Sequence, residues 1–161
     1  MDLQRIITLV GAAALLSACA SSRQAAGRAD PTLARASTAA QSVQWTATLA
    51  SLSGSSVTGS ATAGTGDTAE QTRASVTISG AEPGAVHPWH IHSGRCGDNG
   101  PIVGPAAAYP PLNVNDQGAA SVTANLPYAT PMSGSYYVNV HRSPTEMGTI
   151  VACGNLTIGG T

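Results

Sequence analysis

Charge is the scarcest commodity in this chain: only 9% of its 161 residues are Asp, Glu, Lys or Arg, and they sum to −1. Such a sequence carries no basic stripe for a nucleic-acid backbone and no cationic face for an anionic bilayer, so neither partner is expected. Long hydrophobic runs are missing too. The apolar stretch over residues 6–16 is too short to cross a bilayer as a stable anchor. Beyond residue 42 no segment sustains a 3.6-residue hydrophobic period, which argues against helices. Cysteine occurs three times and histidine four times, so the information in both lies in their positions.

The short apolar run has the character of an export signal. Arg5 gives it a positive start, and Leu16-Ser17-Ala18-Cys19 resembles the bacterial lipobox, in which the cysteine takes a lipid and becomes the first mature residue. Residues 1–18 are therefore expected to be a lipoprotein signal peptide and Cys19 the lipidation site. Residues 19–41, mostly Ala, Ser, Arg and Gln, are expected to form a flexible tether. That leaves residues 42–161 as one folded domain. The expected address is the periplasmic side of the cell envelope, with membrane contact through the lipid alone. Ala20 in place of Asp after Cys19 points to the outer rather than the inner membrane.

In an oxidising compartment the two remaining cysteines, Cys96 and Cys153, read most simply as a disulfide. In the chain-entropy account, closing a loop of that length stabilises the fold by roughly 4 kcal/mol. The alternative is that both thiolates are metal ligands beside the histidines.

The domain reads as all-β. Residues 43–49 alternate, placing Val43, Trp45, Ala47 and Leu49 on one face. Residues 57–62 alternate weakly before a turn at 64–67, and residues 74–79 alternate cleanly up to Gly80. Glu82-Pro83-Gly84 then turns the chain. Further strands are expected at 119–126 (after the turn Asn115-Asp116-Gln117-Gly118), at 135–141 and at 149–158. Seven or eight short strands at this spacing suggest a β-sandwich or a Greek-key barrel. The proline-rich stretch 101–112 is too long for a tight hairpin and is expected to be an ordered loop pinned by the Cys96 disulfide.

Three of the four histidines fall within six residues, in His87-Pro88-Trp89-His90-Ile91-His92, and the fourth, His141, ends the run Tyr136-Tyr137-Val138-Asn139-Val140-His141. His-x-His on an extended strand places both imidazoles on the same face. Imidazole is a ready ligand for copper and zinc near neutral pH. A third imidazole from a distant strand would complete a three-nitrogen site.

Four stretches resemble the copper–zinc superoxide dismutase family. The strand Ser75-Val76-Thr77-Ile78-Ser79-Gly80 with His87-Pro88-Trp89-His90-Ile91-His92 resembles its His-Gly-Phe-His-Val-His segment. Asp116-Gln117-Gly118-Ala119 resembles its Asp-Gly-x-Ala strand start, and Tyr137-Val138-Asn139-Val140-His141 its second histidine strand. Ile150-Val151-Ala152-Cys153-Gly154 resembles its terminal Leu-Ala-Cys-Gly, whose cysteine forms a disulfide. The resemblance implies an eight-stranded Greek-key β-barrel. It makes His90, His92 and His141 copper ligands, His87 a neighbouring histidine that binds no metal, and Cys96–Cys153 the disulfide.

The departures are as informative. No histidine lies between His92 and His141, so the family's bridging histidine and its dedicated zinc site are absent. Ile150 replaces the arginine that guides superoxide in the family, leaving Arg142, or else Arg95, as a substitute. A second resemblance, to the CHRD domain, rests on His90-Ile91-His92, Gly100-Pro101-Ile102-Val103 and Tyr137-Val138-Asn139-Val140-His141. Two functions are consistent with these residues. One is an exported copper-binding dismutase-like lipoprotein that disproportionates superoxide. The other is a non-catalytic dismutase- or CHRD-like metal-binding or structural module, with copper the expected metal and zinc the alternative.

Overall fold

The computed structural model describes residues 43–159; the expected signal peptide, Cys19 and the tether to residue 41 lie outside them. Nine strands follow one another: β1 (Gln44–Ser51), β2 (Thr58–Thr65), β3 (Thr72–Ser79), β4 (Val86–His87), β5 (Trp89–Ser93), β6 (Leu112–Asn113), β7 (Ala120–Leu126), β8 (Tyr136–His141) and β9 (Ile150–Ile158). One 3-10 turn, Ala106–Ala108, is the only helical element among the described residues. The alternating patterns at 43–49, 74–79 and 119–126 correspond to β1, β3 and β7 within two residues at each end.

Seven strands form one antiparallel sheet in the order β5-β8-β9-β1-β2-β3-β7, and it curls into a half-barrel; β4 and β6 pair separately. The concave side holds the core. Trp45, Ala47 and Leu49 face in from β1, Ala74, Val76 and Ile78 from β3, Ala124 and Leu126 from β7, and Val138 and Val140 from β8. The intervening residues of β3 and β7 face out, where Ser75 bonds Thr123 at 2.8 Å and Thr77 bonds Ser121 at 2.9 Å. A clean period of two thus sets the register, because a slip of one residue would turn every core side chain outward.

The turns obey local chemistry. Ala85 N–H bonds the Glu82 carbonyl at 3.1 Å across Pro83-Gly84, and Gly84 takes a φ of +79°, which a side chain would strain. Asn115 Oδ1 accepts the backbone N–H groups of Gln117 and Ala119, each at 3.0 Å, closing the turn into β7.

Of the expected eight-stranded barrel the structure shows a half-barrel, seven strands of one sheet in series with β5 and β7 at the two ends. The segment that joins them contains Pro101, Pro105, Pro110 and Pro111, none of which can donate to a ladder. It touches β5 through one bridge, His92 to Ile102, and then pairs over β6 with β4. The expected loop at 101–112 is ordered, though by more than the disulfide at Cys96. Ser93 N–H bonds the Pro101 carbonyl at 3.0 Å and Val103 N–H bonds the Ile91 carbonyl at 2.8 Å. The Trp89 indole N–H holds the Pro110 carbonyl at 2.8 Å, and the Tyr109 hydroxyl donates to the Val103 carbonyl at 2.6 Å. This segment therefore lies along the β5 edge and covers it.

Candidate metal centre

β5 and β8 pair antiparallel with His90 opposite Asn139 and His92 opposite Tyr137. Directly opposed residues share a face, so Trp89 and Ile91 enter the core while His90 and His92 share the other side with Tyr137. His141 lies two residues beyond Asn139, on that same side. Its backbone N–H is tied to the Pro88 carbonyl at 2.8 Å, and the ladder to β9 shifts register between Val140 and His141. The bulge falls where the third imidazole is presented.

One nitrogen from each of His90, His92 and His141 lies within 4.8 Å of the other two. Hydrogen bonds identify which nitrogens these are. His92 Nδ1–H donates to the Gly100 carbonyl at 2.8 Å, and His141 Nδ1–H donates to the Met147 carbonyl at 2.6 Å. Each ring is thereby held as the tautomer whose Nε2 carries a lone pair, the usual arrangement for a metal-binding histidine. His141 Nε2 stands 3.2 Å from His90 Nδ1. His92 Nε2 is buried with no hydrogen-bond partner. A buried acceptor left alone is costly, and a cation held by three nitrogens would satisfy it.

All three imidazoles are buried, and for His90 and His141 burial shapes the protonation. Burial first, then the neighbouring His141 and His92, pushes His90 from 6.5 down to about 4. His141 is also lowered, chiefly by burial, against the opposing hydrogen bond to Met147. His90 and His141 are therefore neutral near pH 7, the state that binds metal. Tyr137 stacks on His92 with centroids 5.1 Å apart, and Tyr109 meets His90 edge-on at 5.2 Å.

His87 stands behind this group. Its Nδ1–H donates to the His141 carbonyl at 2.9 Å, so it supports the backbone of a candidate ligand, and its Nε2 is buried without a partner. Arg142 pairs with Glu146 at 3.9 Å and lines a cavity of about 210 Å³ with His87 and Glu82. Arg95 lies on another cleft, beside Trp45 and Tyr136. Cys96 and Cys153 form a disulfide with Cα atoms 6.0 Å apart, which removes the alternative of thiolate ligands. The carbonyls of Gly100 and Met147 escape sequence reasoning because backbone acceptors carry no residue-type signature. Tyr137 could have been found, since period two places it on the histidine face.

A curled β-sheet that gathers three imidazoles at one edge, closed by a disulfide, defines an all-β domain with a candidate metal site. The chain belongs to the CHRD domain family, which matches residues 13–150. This is the second of the two resemblances noted in the sequence. Cys153, and with it the disulfide, falls just beyond the matched span. No curated protein is similar enough to be set beside the chain.

Proposed function

We propose that this protein is an exported CHRD-domain module that holds one copper ion through His90 Nδ1, His92 Nε2 and His141 Nε2. The observation that carries the reading is the convergence of three imidazole nitrogens, one of them, His92 Nε2, buried with no other partner. Three nitrogen donors with no carboxylate or thiolate suit copper, with zinc the alternative metal. When bound, copper would supply one-electron redox chemistry. The chain's part is to fix the rings: Gly100, Met147 and the Tyr137 ring hold them in place, and His87 steadies the backbone at His141.

Holding copper, rather than turning over superoxide, is the reading we favour. Ile150 stands where the dismutase resemblance calls for an arginine, and Arg142 is engaged with Glu146. An anion would therefore approach with little electrostatic guidance. The disulfide and the CHRD family are consistent with an envelope or extracellular location. We place the protein there through a signal peptide at 1–18, lipidation at Cys19 and a tether to residue 41, on the outer membrane.

Metal analysis and copper paramagnetic resonance on the disulfide-intact protein test the reading. One copper per chain with nitrogen hyperfine structure is expected. His92→Ala should weaken copper binding by more than about 100-fold, beyond the 10–100-fold cost of losing an outer-shell partner. Unchanged copper binding in that variant would overturn the site. Superoxide consumption by the copper form that is abolished in His90→Ala would instead support the catalytic reading.

A further inference from the structure

A second site lies apart from the histidines, where the end of β5 meets the start of β8. A cleft of about 310 Å³ opens there, at the lower end of the size range of small-molecule pockets. Its floor is apolar. Trp45 and Tyr136 meet edge to face with centroids 5.4 Å apart, and Ile158 is 50% exposed beside them. The Trp45 indole N–H is committed to the Pro131 carbonyl at 2.8 Å, so the ring offers the cleft only its apolar surface.

The rim is polar and carries one sign of charge. Arg95, Ser135 and Asn155 line it, and no Asp or Glu does. Among the described residues the ion pairs are Arg73–Asp67 and Arg142–Glu146, and Arg95 belongs to neither. The nearby Asp98 carboxylate is occupied with the backbone N–H of Arg95 at 2.7 Å. Asn155 Oδ1 accepts the Cys96 N–H at 2.8 Å, which leaves the amide nitrogen of that side chain as its free end, a donor. Two glycines keep the space open. Gly94 and Gly134 take φ values of +104° and +117°, and a Cβ at Gly134 would sit 2.9 Å from the Tyr136 ring.

A lone guanidinium with an amide and a hydroxyl donor above an aromatic floor matches one ligand chemistry. We propose that this cleft binds a small organic carboxylate, with the carboxylate on Arg95 and Asn155 and the apolar portion over Tyr136 and Ile158. Arg supplies planar, paired donors that fit a carboxylate better than a point charge would. The ligand could be a free acid or the C-terminus of a short peptide. The inference does not depend on the metal site, which shares no residue with the cleft.

Calorimetry and the Trp45 indole N–H resonance of the full chain test it, with phenylacetate as one probe and a Gly-Gly-Phe tripeptide as the other. Saturable binding of phenylacetate selects a free acid. Binding of the tripeptide alone, lost on C-terminal amidation, selects a peptide terminus. Phenylacetamide should bind more weakly than phenylacetate. Arg95→Gln should weaken the favoured probe about tenfold, or about 1.4 kcal/mol, with unchanged thermal unfolding. Arg73→Gln, whose side chain pairs with Asp67 away from the cleft, should leave binding unchanged. Failure of both probes to bind, or equal binding by Arg95→Gln, would overturn the proposal.

Discussion

At the scale of single residues, His90 and His141 are held neutral by their surroundings. An unfolded histidine titrates near 6.5, whereas His90 in the fold titrates at about 4 because burial, then His141 and His92, disfavour its charge. Between those values the folded chain binds fewer protons than the unfolded chain, so stability present above pH 6.5 is lost as pH falls toward 4. His141, lowered by burial, adds to the same trend. Thermal unfolding of the metal-free protein should therefore be nearly flat above pH 6.5 and decline steadily below it. His90→Gln should make that decline shallower. A melting temperature independent of pH across this interval would contradict the assignment.

Gly100 is the second residue whose chemistry is narrow. A Cβ there would sit 1.7 Å from the Ser93 carbonyl oxygen, too close for any side chain, while the Gly100 carbonyl holds His92 Nδ1–H. Gly100→Ala must push the loop from β5 and release the ring. Copper affinity should fall by about 10–100-fold, the usual cost of losing an outer-shell partner, although every candidate ligand is retained. Isothermal titration with copper checks it. By contrast, nothing at Gly100 advertises this role in the sequence, because the constraint comes from a chain segment seven residues earlier folding back on it.

At the scale of elements, the strands that alternate were readable and the joining segment was not. β1, β3 and β7 have one face in the core and one in water, so their pattern is written in residue type. β5 and β8 are buried on both faces, and their histidines stood out by chemistry instead. The segment between β5 and β6 has no period because it is held from outside, by the Trp89 indole on Pro110 and by the Tyr128 hydroxyl on Tyr109. The Tyr109 hydroxyl donates to the Val103 carbonyl and meets the Tyr128 hydroxyl at 3.0 Å. Burial first, then the partner phenol, pushes the Tyr128 phenol above its ordinary value, so it stays protonated. Tyr109→Phe would leave the Val103 carbonyl and the Tyr128 hydroxyl short of a partner. A loss of about 1–3 kcal/mol is expected, read as a lower urea midpoint with an unchanged slope.

At the scale of the molecule, the Cys96–Cys153 disulfide joins the loop after β5 to β9 across 57 residues of sequence. In the chain-entropy account it restricts the unfolded chain most, worth roughly 4 kcal/mol. Reduction should lower the denaturation midpoint by that amount of stability while β5 and β8 still pair in the folded fraction. Reduction should also loosen the cleft at Arg95, since Asn155 holds the Cys96 backbone there. Thiol-blocked and oxidised samples compared by urea unfolding measure the first effect.

By itself the sequence determined an all-β domain and the same-face placement of His90 and His92, and it made a disulfide the simplest reading of the two cysteines. Those follow from period two and from residue chemistry, which act over a few neighbours. Only the tertiary structure decided that the sheet ends at β5 and β7 instead of closing. It likewise decided that Gly100 and Met147 set the tautomers of two imidazoles, and that Arg142 and Arg95 face separate cavities. Each depends on which distant backbone carbonyl or side chain arrives at a given place, and that is a property of how the strands are ordered in space.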